Sequence, residues 1–124
     1  MKKRVLLVDD VEFNLEFENS VIKTFIEETG IDIEVDSALT VKEGIKKIED
    51  NPPYDALITD MNLPDGTGVD IAKASIKKSE TTRRAALTIY PSKYENQRAF
   101  FDLFLRKPIM PKSFKANLAR LLQV

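Results

Sequence analysis

With 124 residues, 43% of them hydrophobic, the chain is long enough for one domain with a substantial core and too short for two of ordinary size. Its 19 basic and 20 acidic residues nearly cancel, so no overall field draws it to nucleic acid or to an anionic membrane surface. It has no cysteine and no histidine, which excludes disulfides, thiolate nucleophiles, Ser-His-Asp and Cys-His machinery and the usual zinc ligand sets; carboxylates, hydroxyls and lysines remain.

The opening MKKRVLLVDD places only a short apolar run between its basic residues and two aspartates. That is far short of a signal-peptide core or a membrane span, so a cytoplasmic location is expected. Val5-Leu6-Leu7-Val8 is apolar at every position, as a strand covered by helices on both faces would be, and Asp9-Asp10 ends it. Phe13, Phe17, Val21, Ile22, Phe25 and Ile26 then recur at three- and four-residue intervals, predicting a helix that stops at Gly30. A second strand is predicted over residues 31–36. Thr40 and Glu43 stand at capping-box spacing ahead of a stripe of Val41, Ile45 and Ile48, which ends at Asn51-Pro52-Pro53. Residues 54–59 read as a third strand closed by Asp60, and residues 69–78 as a third helix.

Residues 85–90 read as a fourth strand. Ser92 and Glu95 form a second capping-box pattern that opens a short helix, and Leu103-Phe104-Leu105 is a fifth apolar strand running into Arg106-Lys107-Pro108. Pro111 suits the first turn of a last helix with an inner face of Phe114, Leu118, Leu121 and Leu122. Five strands alternating with five helices predict an α/β fold, a doubly wound parallel sheet covered on both faces, in one domain over residues 1–124.

In such sheets ligands bind at the carboxyl ends of the strands. Asp9 and Asp10 end strand one, Asp60 ends strand three, Thr88 lies late in strand four and Lys107 follows strand five, so all would meet on one edge. Three carboxylates brought together repel one another, and protonation or a bound cation must relieve the repulsion. Mg2+ does so with oxygen ligands alone and keeps positions open for water or a phosphoryl group. The lysine and the threonine hydroxyl supply donors for phosphoryl oxygens. With histidine and cysteine absent, the nucleophile that remains is a carboxylate, which would form an acyl phosphate.

The segments VLLVDD, DALITDMNLPDGTG and LFLRKPI, in that order and with SALTVKEGIKKI between the first two, resemble the CheY-like receiver domain of two-component response regulators over the whole chain. The resemblance implies a flavodoxin-like strand order of 2-1-3-4-5. It implies Asp60 as phosphoacceptor, with a sensor histidine kinase or histidine phosphotransfer protein as donor, since this chain has no histidine. Mg2+ would be held by Asp10 directly, by Asp9 mainly through water, by Asp60 and by the backbone carbonyl of Asn62. Lys107 would pair with phosphoryl oxygens beside a cis peptide to Pro108, while Pro64, Gly66 and Gly68 shape the adjoining loop. Thr88 and Phe104 would act as the switch pair, moving a face built by helix four, strand five and helix five toward an unknown downstream protein.

The stretch after strand four departs from the family. A small residue normally follows the switch threonine, and here Ile89 and Tyr90-Pro91 stand there; Ile89 and Tyr90 are therefore expected to control access to the phosphate. The span from Thr88 to Lys107 is short, so helix four should be short or distorted. Phe100 and Phe101 are expected to pack or to form a contact surface. Lys77, Lys78, Arg83 and Arg84 lack interleaved aromatics and read as a solvated face, so neither nucleic acid nor membrane is an expected partner.

The expected function is a signalling module, monomeric or a weak homodimer, that is not a turnover enzyme and acts without an attached effector. The alternatives are a pseudo-receiver that binds partners without being phosphorylated, and a Mg2+-dependent phosphatase with an aspartyl-phosphate intermediate. The phosphatase would need a second acid where Asn62 stands.

Overall fold

The computed structural model describes residues 2–124, and of Ser92 the backbone alone. Five strands form one sheet: β1 (Lys3–Val8), β2 (Ile33–Ala38), β3 (Ala56–Asp60), β4 (Arg83–Thr88) and β5 (Leu103–Arg106). Their order is β2-β1-β3-β4-β5 and each neighbouring pair is parallel. The expected doubly wound, flavodoxin-like sheet is therefore present. Four α-helices, α1 (Glu12–Thr29), α2 (Val41–Asp50), α3 (Gly68–Lys78) and α4 (Pro111–Leu122), make three of the crossovers and the final cover.

The fourth connection is a 3-10 segment, Pro91–Phe100, kinked at Tyr94 (φ −113°, ψ 22°). This is the short, distorted helix that the spacing predicts, and its form has a reason. Its inward anchors, Tyr94 and Phe100, pack against the cluster around Met61, Val69, Ala72, Ala86 and Phe101. Six positions apart, they fall on different faces of an α-helix but in one row at three residues per turn. Tyr90 precedes the segment without capping it and Pro91 opens it; the Ser92 half of the predicted capping box lies outside the described side chains.

Alternation along the strands sorts the core into two layers. Val5, Leu7, Ala56, Ile58, Ala85, Leu87 and Leu105 face α1 and α4, where they meet Leu15, Ile22, Phe25, Phe114, Leu118 and Leu121. Leu6, Val8 and Leu57 face the other way, toward Val41 and Ile48 of α2 and Ile71 of α3. The predicted inner face of the last helix is buried as expected.

β1 and β5 extend the predicted runs to Lys3–Val8 and Leu103–Arg106, and the other three strands are shifted. β2 begins at Ile33 because Ile31 and Asp32 are spent returning from Gly30, whose left-handed backbone (φ 76°) ends α1, and Lys3 N donates to Asp32 O. β3 runs over Ala56–Asp60, so Asp60 itself belongs to the strand. β4 spans Arg83–Thr88 and stops short of Tyr90 because Thr88 Oγ1 accepts from Tyr90 N and bends the chain away from β5. The α1 stripe also needs correction. Phe13 is 72% exposed, whereas Phe17 and Ile26 pack half-buried against the core as predicted, and the fully inward face of Val21, Ile22 and Phe25 is completed by Leu15 and Glu18.

Gly68 starts α3 directly behind the end of β3. A Cβ there would lie 2.7 Å from the Asp60 carbonyl oxygen, 3.1 Å from Met61 Sδ and 3.2 Å from Thr59 Cγ2. Two of these belong to the backbone or to the buried start of the loop, so little can yield. Gly68→Ala is expected to cost about 1–3 kcal/mol of stability, read as a lower urea midpoint with an unchanged m-value.

Candidate functional site

Three charged residues stand where apolar rows run out. Asp9 is the next position in the row Val5-Leu7, Asp60 in the row Ala56-Ile58, and Lys107 in the row Leu103-Leu105. Rows that face the same layer keep that direction one step past the core, so the three side chains converge on the α1 side of the carboxyl edge. Lys107 Nζ donates to Asp9 Oδ2 at 3.2 Å and to Asp60 Oδ2 at 3.1 Å. The Lys107–Pro108 peptide is cis.

Asp9 is fully buried, and its carboxylate also accepts from Val11 N at 2.9 Å and from Asn14 Nδ2 at 3.3 Å. Burial pushes the Asp60 carboxyl above its ordinary value, with Lys107 opposing that shift and Asp9 adding to it. Burial draws Lys107 downward, yet its hydrogen bond with Asp60 and the charges of Asp60 and Asp9 outweigh it and lift the ammonium. Each of the two opposes the shift that burial imposes on the other.

Asp10 is exposed and completes an acidic group with Asp9 and Asp60, in which one carboxylate oxygen of each lies within 4.8 Å of the others. An all-oxygen donor set at this spacing fits a hard cation such as Mg2+. Asn62 N donates to Asp60 Oδ1 at 3.4 Å, a long contact that leaves this oxygen the less engaged of the two. The Asn62 side chain accepts from Tyr94 Oη at 3.2 Å, joining the loop to the 3-10 segment.

The loop itself is pinned from both ends. Asp65 accepts from Val41 N and Lys42 N at 2.8 and 3.0 Å, capping α2 from outside that helix, and these bonds hold its carboxyl below the usual range. Thr67 and Asp70 form a capping box at the start of α3. Thr40 accepts from Glu43 N at the start of α2, as its spacing predicts.

The remaining expected residues are not gathered at the acids. Thr88 is buried at the end of β4, with its hydroxyl engaged by Tyr90 N. Phe104 lies half-buried on the opposite face, edge-on to Phe101 at 5.6 Å and beneath the Arg98 guanidinium at 5.5 Å. Ile89 and Tyr90 are exposed. Ile89 lines a groove of about 490 Å³ with Phe13, Phe17, Lys107, Pro108 and Ile109, immediately beside the acidic cluster.

Residues 5–119 match the profile of the response regulator receiver domain. The chain belongs to this family. The aerobic respiration control sensor protein ArcB of Escherichia coli K12 is 31% identical over 94% of the chain, which spans 15% of that protein's length. Among solved structures, the chemotaxis response regulator CheY4 of Vibrio cholerae is 26% identical with a TM-score of 0.77, over 98% of this chain and 100% of that one. The response regulator TrrA of Thermotoga maritima, solved in complex with Mg(2+)-BeF, is 26% identical with a TM-score of 0.76, over 97% and 99%. The chain is thus a receiver domain of two-component signalling, a class of signalling modules, and among the described residues no helix is long and apolar enough to cross a membrane.

This receiver carries one site-facing group that the sequence reading missed. Glu18, on the inner face of α1, is fully buried, and neither of its carboxyl oxygens has a hydrogen-bond partner among the described residues. Burial foremost, then the charge of Asp9, pushes it up to about 8, with Lys107 pulling the other way. Its position at the helical spacing of Leu15, Ile22 and Phe25 was the available signal.

A carboxyl raised from 4.5 to about 8 on folding holds its proton where the unfolded chain has lost it, so its contribution is complete below the unfolded value and is lost as pH rises through the folded one. Stability should therefore decline from about pH 5 to about pH 8, by up to about 1.4 kcal/mol per pH unit from this group. Glu18→Gln should flatten the profile, as measured by urea unfolding across that range.

Proposed function

We propose that this receiver accepts a phosphoryl group on Asp60 from a phosphohistidine of a sensor histidine kinase or a histidine phosphotransfer protein. The observation that carries the reading is the bridge made by Lys107 Nζ between Asp9 and Asp60, which brings one amine and two acids together from three different strand ends. Residues 1–124 contain no histidine, so the donor group lies outside them. In support, ArcB is named a sensor protein, and the TrrA receiver was solved with Mg(2+)-BeF.

The chemistry uses what the chain itself supplies. A carboxylate oxygen of Asp60 attacks phosphorus; the P–O bond forms, the P–N bond of the donor breaks, and the imidazole leaves with the electron pair. Oδ1 is the better placed oxygen, because Oδ2 is held by Lys107. Lys107 pins Asp60 before transfer and then presents its ammonium to the phosphoryl oxygens. Position and charge neutralisation, rather than proton transfer, lower the barrier. Asp9, Asp10, Asp60 and the Asn62 backbone carbonyl would hold Mg2+, which when bound offsets the charge on the phosphoryl oxygens.

Residues 1–124 act in this reading as one receiver domain in the cytoplasm, not as a turnover enzyme. Thr88 and Phe104 relay the state of Asp60 to the face made by the 3-10 segment, β5 and α4, where a downstream protein binds. Asn62 stands where a phosphatase would need its second acid, which disfavours steady hydrolysis. Ile89, at the rim of the groove beside Lys107, and Tyr90 limit the approach of water to the acyl phosphate.

Incubation with Mg2+ and acetyl phosphate should add one phosphoryl group by intact mass, and Asp60→Asn should add none while remaining folded. Steady release of phosphate from phosphomonoesters would instead support the enzyme reading, and failure to add the group would support the pseudo-receiver. With the phosphorylated chain in hand, replacing Ile89 and Tyr90 together by alanine should shorten the lifetime of the acyl phosphate several-fold, measured as loss of the mass adduct over time.

A further inference from the structure

Glu18 has no evident structural use. A buried carboxyl without a partner costs stability, and an apolar residue at the same place in α1 would pack without that cost. Its neighbours on the inner face, Leu15, Val21 and Ile22, are apolar, as are Phe114 and Leu118, which α4 contributes to the same core layer. The charged groups that face it are Asp9 from the end of β1, Asp60 from the end of β3 and Lys107 after β5. It shares no hydrogen bond with any of them among the described residues. Glu18 thus lies behind the acidic cluster, within its field but outside its ligand shell.

The field at this position depends on what the cluster holds. By formal charge, the three acids Asp9, Asp10 and Asp60 against the one ammonium of Lys107 sum to −2. Burial foremost, with the charges of Asp9 and Asp60 adding to it, keeps Glu18 protonated at neutral pH. A divalent cation among the three acids brings the sum to zero. The repulsion that helps hold the proton is then gone, and only burial still opposes ionisation.

Resting on the reading of the three acids as a divalent-cation site, we propose that Glu18 is the fourth acid of that site, a positioning residue behind the pocket whose carboxyl releases its proton to solvent as the cation enters and then adds its own charge to the hold on it. The chemistry balances: a carboxylic acid becomes a carboxylate, one proton passes to the buffer, and no bond to the cation is required. Cation binding is thereby linked to pH. By reciprocity, each step up in pH below the range where Glu18 ionises unaided favours binding.

The test is titration calorimetry of the full chain with MgCl2 in two buffers of different ionisation enthalpy, at about pH 6.5, 7.5 and 8.5. The wild-type chain should release a substantial fraction of one proton per Mg2+ at about pH 7.5, and its affinity should climb with pH, at most on the order of tenfold per unit. Glu18→Gln should bind Mg2+ with little proton release and a nearly flat pH profile, and more weakly than wild type at about pH 8.5. Glu18→Leu serves the same comparison if the glutamine variant fails to fold. Binding without proton release by wild type, or equal release by the variants, overturns the proposal and leaves the cation site standing. No Mg2+ binding by the folded wild-type chain overturns both.

Discussion

The site depends on the ammonium of Lys107 lying between two carboxylates that would otherwise repel each other. Asp9 is fully buried and Asp60 nearly so, and two such charges are tolerated in a half-dry pocket only when hydrogen-bonded and compensated. Val11 N and Asn14 Nδ2 satisfy part of Asp9, but the charge is met by Lys107 alone among the described residues. Removing the lysine would leave two uncompensated acids, whereas in an all-apolar edge neither acid would be there to need it. Such an arrangement is weak evidence of stabilisation and good evidence of function.

The sheet's period of two explains why this convergence is robust. A residue one step past an apolar row inherits the row's direction, so three strands of different sequence deliver Asp9, Asp60 and Lys107 to the same side without any loop having to be shaped for the purpose. The same inheritance sends Thr88 and Phe104 to the opposite layer, with Ala86 and Phe101. The acids and the expected switch pair are therefore separated by the sheet itself. Communication between them has to pass around the edge, through the backbone after β4 and β5 where Lys107 N donates to Thr88 O, or through the loop that follows Asp60.

What the sequence made legible follows from this rule. An apolar run that ends abruptly in charge is visible as text, and Asp9, Asp60 and Lys107 were read from it; Leu118 and Phe114 were read from a strong helical stripe. The failures lie where a pattern was ambiguous. Phe13 suggests a buried start to α1, but the helix turns Leu15 and Glu18 inward and leaves Phe13 exposed at the groove, with Phe17 between groove and core. Glu18 went unread because hydropathy assigns every glutamate to water. The ends of β2 and β4 depended on a left-handed glycine and on a threonine hydroxyl bonding its own turn, neither of which leaves a periodic trace.

The 3-10 segment is one route by which the site is coupled to the opposite face, through the packing of Tyr94 against the cluster around Met61 and through polar ties. Apart from its packing, it is tied to the body by Tyr94 Oη on Asn62, by Arg84 Nε on Phe100 O, and by Lys73 and Arg98 stacked over Phe100 and Phe104. Hydrogen bonds and exposed cation–π contacts of this kind contribute about 1 kcal/mol each. Among the described residues the Tyr94 bond is the hydrogen bond that joins the segment to the loop beside Asp60, so losing that bond alone biases the segment by about that amount, a factor of roughly five in population. A larger bias requires a second contact to change with the first, and the buried end of β4 at Thr88, one turn from the start of the segment, is the place where the chain offers one.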